Sequence, residues 1–348
     1  MGFLKAYDLA VIDQLSIPIS RTAGVVWFGA FLLFLASAIT YLFGIDWWWM
    51  IVAVGIVVSQ TLIITYWGDA KYGTIANVII LAGCILGYGH WSFNAMVDRE
   101  VKQFWDSIPA KQTKVHDKVI YDLPPIVSRW IDQTNIADQQ FVQAIQLKQK
   151  GKMKTTPDGG WMSVQAEQFI KTANPSFLWV AEAEMAPYIH LAGRDKYKDG
   201  KGHMLIKLLS LFPVVNAEGA EMNQGTLVRY LAEMVWYPSA VTEEYLRWEQ
   251  LDSSSARATI KYGGITTSGI FEFNKDGLPV RFKAERYYTR QERATLERWV
   301  INIDPSSYQL LDGIMIPTQA SVTWQLDEGA FKWYILEITE ATYYLSNH

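Results

Sequence analysis

Charged residues break the apolar pattern of this chain at three places, and any chemistry it performs should centre on them. From Leu278 to Tyr288 the spacing reads as a strand, with Val280, Phe282 and Ala284 on one face and Arg286 next on that same face. A guanidinium on the apolar side calls for a carboxylate or an anionic ligand, because burying it unpaired is costly. The alternative is an arginine at the strand end that reaches solvent. Arg229 and Glu233 stand four apart in Arg229-Tyr230-Leu231-Ala232-Glu233 and so share a helical face, either as a surface ion pair or as a polar patch turned towards a cavity. Glu233 is the expected partner of Arg286. The third place is the densest polar stretch, Gly193 to Gly202, whose glycines and alternating charges suit a hairpin, with an anion or lipid-headgroup site formed by Arg194, Lys196 and Lys198 as the alternative.

Catalytic signatures are scarce around these residues. Thr266-Thr267-Ser268-Gly269-Ile270 lacks the two glycines of a nucleophile elbow, and no phosphate-loop glycine pattern is present. His190 and His203 flank the charged stretch without the spacing or cysteines of a metal site, so no metal and no cofactor is expected. Asp195 with either histidine could form an acid/base pair, and a hydrolase using Asp195, Glu233 and Arg286 is the enzymatic alternative. The binding alternative adds the aromatic neighbours of these charges, giving Trp179, Arg194, Asp195, Arg229, Glu233, Trp236, Arg286 and Tyr287 as candidate ligand-binding residues.

Strands must position most of them. From Phe141 onward, period-two alternation dominates, as in Met162/Val164/Ala166, Ala256/Ala258/Ile260 and Ala320/Val322/Trp324. Turn signals punctuate it at Pro157-Asp158-Gly159, Asp199-Gly200, Asp276-Gly277, Asp312-Gly313 and Glu328-Gly329. Leu205 to Val215 is apolar on both alternating faces and should be covered on both. One helix interrupts the strands, from about Asn223, which can cap it, to Trp236, with Leu227, Tyr230, Leu231 and Met234 as its apolar stripe and Pro238 as its stop. A shorter helix should open at Leu123-Pro124-Pro125 and run through Trp130. A curved antiparallel sheet or open barrel with a helix across it is the implied fold of residues 120–348.

The first hundred residues have a different character. No charged residue lies between Arg21 and Asp46, between Asp46 and Asp69, or between Lys71 and Asp98. A bilayer-crossing helix needs about 20 such residues, so three transmembrane helices are expected within 23–97, after an N-terminal tail (1–22) and before a charged connector (98–119) that reads as a helix over 98–118. Phe3 to Ile19 could form a short helix at a membrane surface or a loose tail. Trp47, Trp48, Trp49, Trp67, Tyr72 and Trp91 stand where interfacial aromatics would. The first inter-span link carries no Lys or Arg whereas Lys5, Arg21 and Lys71 alternate with it, which places the N-terminus inside and the large domain outside; Arg99 and Lys102 pull the other way. His90, close to the end of the third run, reads as an interfacial histidine, and the spans hold no carboxylate or lysine pair that a proton relay would use.

Composition adds limits. The net charge of −4 offers no basic field for nucleic acid. The single cysteine, Cys84, lies in the third apolar run, so the strand region can form no disulfide and fits either side of a membrane.

The ordered matches Gln165-Ala166-Glu167-Gln168, Phe177-Leu178-Trp179, Gly193-Arg194-Asp195, Arg229-Tyr230-Leu231-Ala232-Glu233, Trp236-Tyr237-Pro238 and Ala284-Glu285-Arg286-Tyr287 resemble an uncharacterised bacterial family of membrane-anchored or secreted proteins with a domain of unknown function. The resemblance covers about residues 120–345 and transfers no reaction. At the level of fold alone, long strands curving about a midway helix are similar to the half-open barrels of periplasmic lipoprotein carriers, which hold acyl chains in an apolar cavity. Together these imply a multi-pass protein of the bacterial inner membrane that binds a membrane lipid or other apolar ligand, with an envelope protein as an alternative partner.

Overall fold

The computed structural model describes residues 1–12, 15–108, 123–136, 142–290 and 293–345. Contacts divide the chain into two compact units, Met1–Met96 with Leu209–Leu211, and Val97–Leu208 with Phe212–His348.

The first unit is helical. A short α1 (Gly2–Ala6) precedes α2 (Arg21–Leu42), α3 (Trp48–Thr65), the single turn α4 (Trp67–Ala70) and the long α5 (Gly73–Asp106). Ser20 Oγ caps α2 by accepting from the Ala23 N–H at 3.2 Å. Helices α2, α3 and α5 are long and apolar enough to cross a membrane. Many of their large side chains, Phe31, Val57 and Ile79 among them, point outward, whereas Gly24, Ala30, Gly55 and Ser59 are buried together with Val52, Leu62 and Ile63. Small residues inside and bulky apolar ones outside is the arrangement lipid favours, since close backbone approach replaces the missing hydrophobic drive. Polar side chains join α3 to α5: Ser59 Oγ donates to Asn77 Oδ1, Asn77 to Gln60, and Gln60 to Thr74.

The structure sets two boundaries in this region. Helix α1 ends at Ala6 and the chain is not helical in the described part of 7–19, where Asp69 accepts from Ser16 Oγ and the Ile17 N–H; residues 13–14 lie outside the described residues. The third helix runs without a break into the expected connecting helix. The charged residues beyond Asp98 continue it to Asp106, and the remainder of the expected connector, 109–119, is outside the described residues.

The second unit opens with α6 (Pro125–Gln133), whose Ile126, Val127, Trp130 and Ile131 are buried. Then follow β1 (Val142–Met153), β2 (Met162–Lys171), β3 (Ser176–Ala186), β4 (Ile189–Lys198), β5 (Lys201–Leu208) and β6 (Phe212–Glu218). Helix α7 (Ala220–Ala232) leads through 3-10 turns at Glu233–Trp236 and Pro238–Thr242 to β7 (Leu246–Gln250), β8 (Ser255–Tyr262), β9 (Ile265–Phe273), β10 (Pro279–Thr289) and β11 (Ala294–Ile303). A small hairpin, β12 (Tyr308–Leu311) with β13 (Ile314–Pro317), precedes β14 (Gln319–Leu326) and β15 (Gly329–Leu345).

Thirteen strands form one antiparallel sheet in the order β6-β5-β4-β3-β2-β1-β15-β14-β11-β10-β9-β8-β7. Six strands meander outward from β1 to one edge, and the chain resumes at the opposite edge with β7. Laid flat, that sheet would be about 58 Å wide at ~4.8 Å per strand, whereas a 13-residue helix covers only about 20 Å. The sheet must therefore curl, and its hairpins meet: a Cβ on Gly200, in the β4–β5 turn, would lie 2.7 Å from Gly263 Cα in the β8–β9 turn. Both residues have positive φ, 80° and 57°, so glycine is required there for the turn as well as for the approach.

Helix α7 packs against β4, β5, β6, β8, β9 and β10 on the concave side. Leu227, Tyr230, Leu231 and Met234 are fully buried, as their helical spacing predicts. The helix starts three residues earlier than expected, after Gly219 at φ 114°, because Asn223 does not cap it; its Oδ1 accepts instead from the Gly202 N–H at 2.7 Å. Trp130 of α6 fills one end of the curve beside Trp248, Phe271 and Phe273. The last turns of α5 cover the other face of β1–β3, where Phe104 packs with Ala144, Phe169 and Leu178. Leu205 to Val215 is not one covered strand but the β5–β6 hairpin, with Leu209 and Ser210 at positive φ in its turn, and Phe212 and Val214 are exposed on the edge strand.

Candidate ligand cavity

Period-two alternation turns Trp179, Ala181 and Ala183 of β3 and Asp195 of β4 to the concave face; Met204 and Ile206 of β5, Arg286 of β10 and Trp299 of β11 complete this wall. Phe331, Trp333 and Leu336 of β15 close the far side. Between these walls and α7 lies a partly open cavity of about 420 Å³, lined mainly by aromatic and aliphatic side chains.

All eight residues singled out by sequence border this cavity. Trp179, Asp195, Arg229, Glu233, Trp236 and Arg286 are buried or nearly so, and Tyr287 stands at the rim, alternating outward and 38% exposed. Arg194 also adjoins it but is engaged elsewhere, hydrogen-bonded to the His203 carbonyl at 2.8 Å and His203 Nδ1 at 3.1 Å and ion-paired with Glu100 Oε2 at 3.1 Å.

The polar groups form one chain across the apolar wall. Trp179 Nε1 donates to Gln149 Oε1 (3.1 Å), Gln149 Nε2 to Gln168 Oε1 (2.8 Å), and Gln168 Nε2 to Glu233 Oε2 (2.6 Å). Arg229 Nε then donates to Glu233 Oε1 at 2.7 Å and its Nη1 to Asp195 Oδ2 at 2.8 Å. The Arg229 guanidinium also lies 4.9 Å from the ring centres of Phe177 and Trp179. Burial alone would lower the Arg229 pKa, but Glu233 and Asp195 more than offset that and raise it, so this cation is fixed.

Arg286 does face the apolar side, as its place in the strand pattern predicts, and it is 8% exposed. It does not pair with Glu233. Its Nε donates to the Gly225 carbonyl of α7 at 2.9 Å, and its guanidinium packs against the adjacent rings of Trp299 (4.7 Å) and Trp324 (5.7 Å). The anticipated acid/base pair of Asp195 with a histidine is also not formed with His203, since Asp195 is held by Arg229 and His203 by Arg194 and Asn216. The Thr266–Ile270 run lies in β9, as an ordinary strand.

Sequence reasoning did not select Gln149, Gln168, Trp299 or Trp324 for the site. Trp324 belongs to a recognised alternating face, and Trp299 pairs with it across β11 and β14, but cross-strand register is invisible before the sheet is assembled.

The pattern of a family of unknown function, DUF6920, matches residues 121–343. The chain belongs to that family. No curated protein sequence matches the chain. Among solved structures, it is similar to a DUF1329 family protein from Desulfovibrio piger, at 12% identity and a TM-score of 0.35 over 68% of this chain and 96% of that one. It is also similar to a LolA superfamily protein from Nitrosomonas europaea, at 9% identity and a TM-score of 0.35 over 64% of this chain and 93% of that one.

Proposed function

We propose that this protein binds an apolar or lipid-like ligand inside its curved sheet, and that the three apolar helices within residues 23–97 anchor it in the bacterial inner membrane with the domain at 120–348 facing outward. The cavity carries this reading. Its volume of about 420 Å³ falls in the range of small-molecule sites, and an apolar wall with a few placed polar groups is what such sites require. The arrangement favours binding over hydrolysis because Asp195 and Glu233 both engage Arg229, so neither stands as a free carboxylate ready to move a proton.

The test uses the full chain exchanged into a non-ionic amphipol and titrated with the methyl ester of cis-parinaric acid, which accepts energy from tryptophan. Saturable one-to-one binding is expected. Ala183→Phe, which fills the lumen from β3, should weaken it at least tenfold with a nearly unchanged melting temperature. Non-saturable partitioning, equal in wild type and variant, would contradict the proposal.

A further inference from the structure

One corner of the cavity holds a cation that the protein does not satisfy. Three carboxylates lie in the neighbouring ion-pair network, and each already pairs with a cation: Glu100 with Arg194 and Lys196, and Asp195, through Oδ2 only, and Glu233 with Arg229, while Asp195 and Glu233 also act on Arg286 from a distance. Three cations thus meet three carboxylates. Arg286 is a fourth cation, and among the described residues no carboxylate lies within 4.0 Å of it. Among the described residues its one hydrogen bond uses Nε, and neither terminal nitrogen meets an acceptor.

The surroundings restrict what can approach. Trp299 and Trp324, whose ring centres are 6.4 Å apart, flank the guanidinium on one side, and Arg286 lines the cavity on another, where its terminal N–H groups can bond. The indole N–H of Trp299, beside it, also lacks an acceptor among the described residues. Burial pushes the Arg286 pKa down to about 10, which still leaves it charged at neutral pH. A buried, charged fork with free donors matches a planar or tetrahedral oxyanion, which it can hold through two parallel hydrogen bonds.

We propose that the cavity ligand is an acidic amphiphile whose single carboxylate or phosphate-monoester head docks on Arg286 while its apolar body lies among Trp324, Phe331 and Leu336. This deepens the apolar-ligand reading and rests on it. The wall is mainly apolar, its Gln149, Asp195, Arg229 and Glu233 are bonded to one another or to neighbouring side chains, and Arg286 is the buried cation left without a carboxylate among the described residues, so one charged head with an apolar tail is the complementary chemistry.

The experiment compares cis-parinaric acid with its methyl ester on the full chain in non-ionic amphipol at pH 7.5, read by energy transfer from tryptophan. The acid should bind about 10-fold to 100-fold more tightly than the ester, the gain expected from charge-assisted hydrogen bonds. Arg286→Met should bring that ratio to about one and Arg286→Lys should keep part of it. Lysophosphatidic acid should displace the acid at micromolar concentration, and inorganic phosphate should not do so at millimolar concentration. Equal affinity of acid and ester in the wild-type chain would overturn the headgroup proposal and leave the apolar cavity standing, even if the variants failed to fold. Saturable binding of neither probe would overturn both. Displacement by inorganic phosphate but not by lysophosphatidic acid would assign the corner to a free anion and overturn the amphiphile.

Discussion

Arg229 is the residue on which the interior polar network turns, since it alone neutralises both Asp195 and Glu233. Arg229→Met leaves two buried carboxylates uncompensated, and a loss of about 3–5 kcal/mol is expected in denaturant unfolding of the full chain. The triple variant Arg229→Met, Asp195→Asn, Glu233→Gln should recover most of it; a loss as large as in the single variant would show that the arginine matters for packing and not for charge. The sequence made all three residues visible, Arg229 and Glu233 as charges four apart beside the apolar stripe of a helix and Asp195 as part of the densest polar stretch. It could not assign partners. Arg229 and Glu233 share a helical face by spacing, but Asp195 reaches them only after β4 and α7 are brought together, and Arg286, expected beside Glu233, meets the Gly225 backbone and two indoles instead.

At the scale of elements, the return from α7 to the far edge strand carries a buried acid. Glu243 follows the second 3-10 turn, and burial, reinforced by the adjacent Glu244, pushes its pKa up to about 7. A carboxyl whose pKa is raised on folding holds its proton more tightly in the native state, so its contribution to stability is full below about 4.5 and is lost as pH rises through about 7. Glu243→Gln should therefore flatten the fall in melting temperature between pH 5 and pH 8. A wild-type chain with no such fall would contradict the assignment. The contact of α7 with β5 offers a second check: a Cβ on Gly202 would collide with Thr226 Oγ1 and lie 2.7 Å from the Met222 carbonyl, so Gly202→Val should displace the helix and cost roughly 1–3 kcal/mol by overpacking. Strand faces, turns and the helix were legible because each follows from a local period or a turn residue. The helix start and the β5–β6 hairpin were not, because Asn223 is engaged by a distant backbone N–H and the apolar run from Leu205 to Val215 hides a turn made by residues with no turn signature.

For the molecule as a whole, the division into apolar helices and a strand-rich region was plain from charge spacing alone, whereas the order of strands was not, because a sheet whose first and last strands pair, β1 with β15, joins residues nearly two hundred positions apart. Orientation is tested through Ser254, exposed before β8, in a chain whose single cysteine is buried in α5. Ser254→Cys should react with an impermeant maleimide on intact spheroplasts; protection until the membrane is broken would place the sheet inside. The central claim, that the curved sheet houses an apolar ligand, is met most directly by photo-crosslinking a diazirine-bearing fatty acid to the full chain and mapping the adducts by mass spectrometry. Adducts on Trp179 to Ala183, Met204 to Ile206 and Phe331 to Leu336, suppressed by Ala183→Phe, are the predicted result, and adducts confined to residues 21–106 would contradict it.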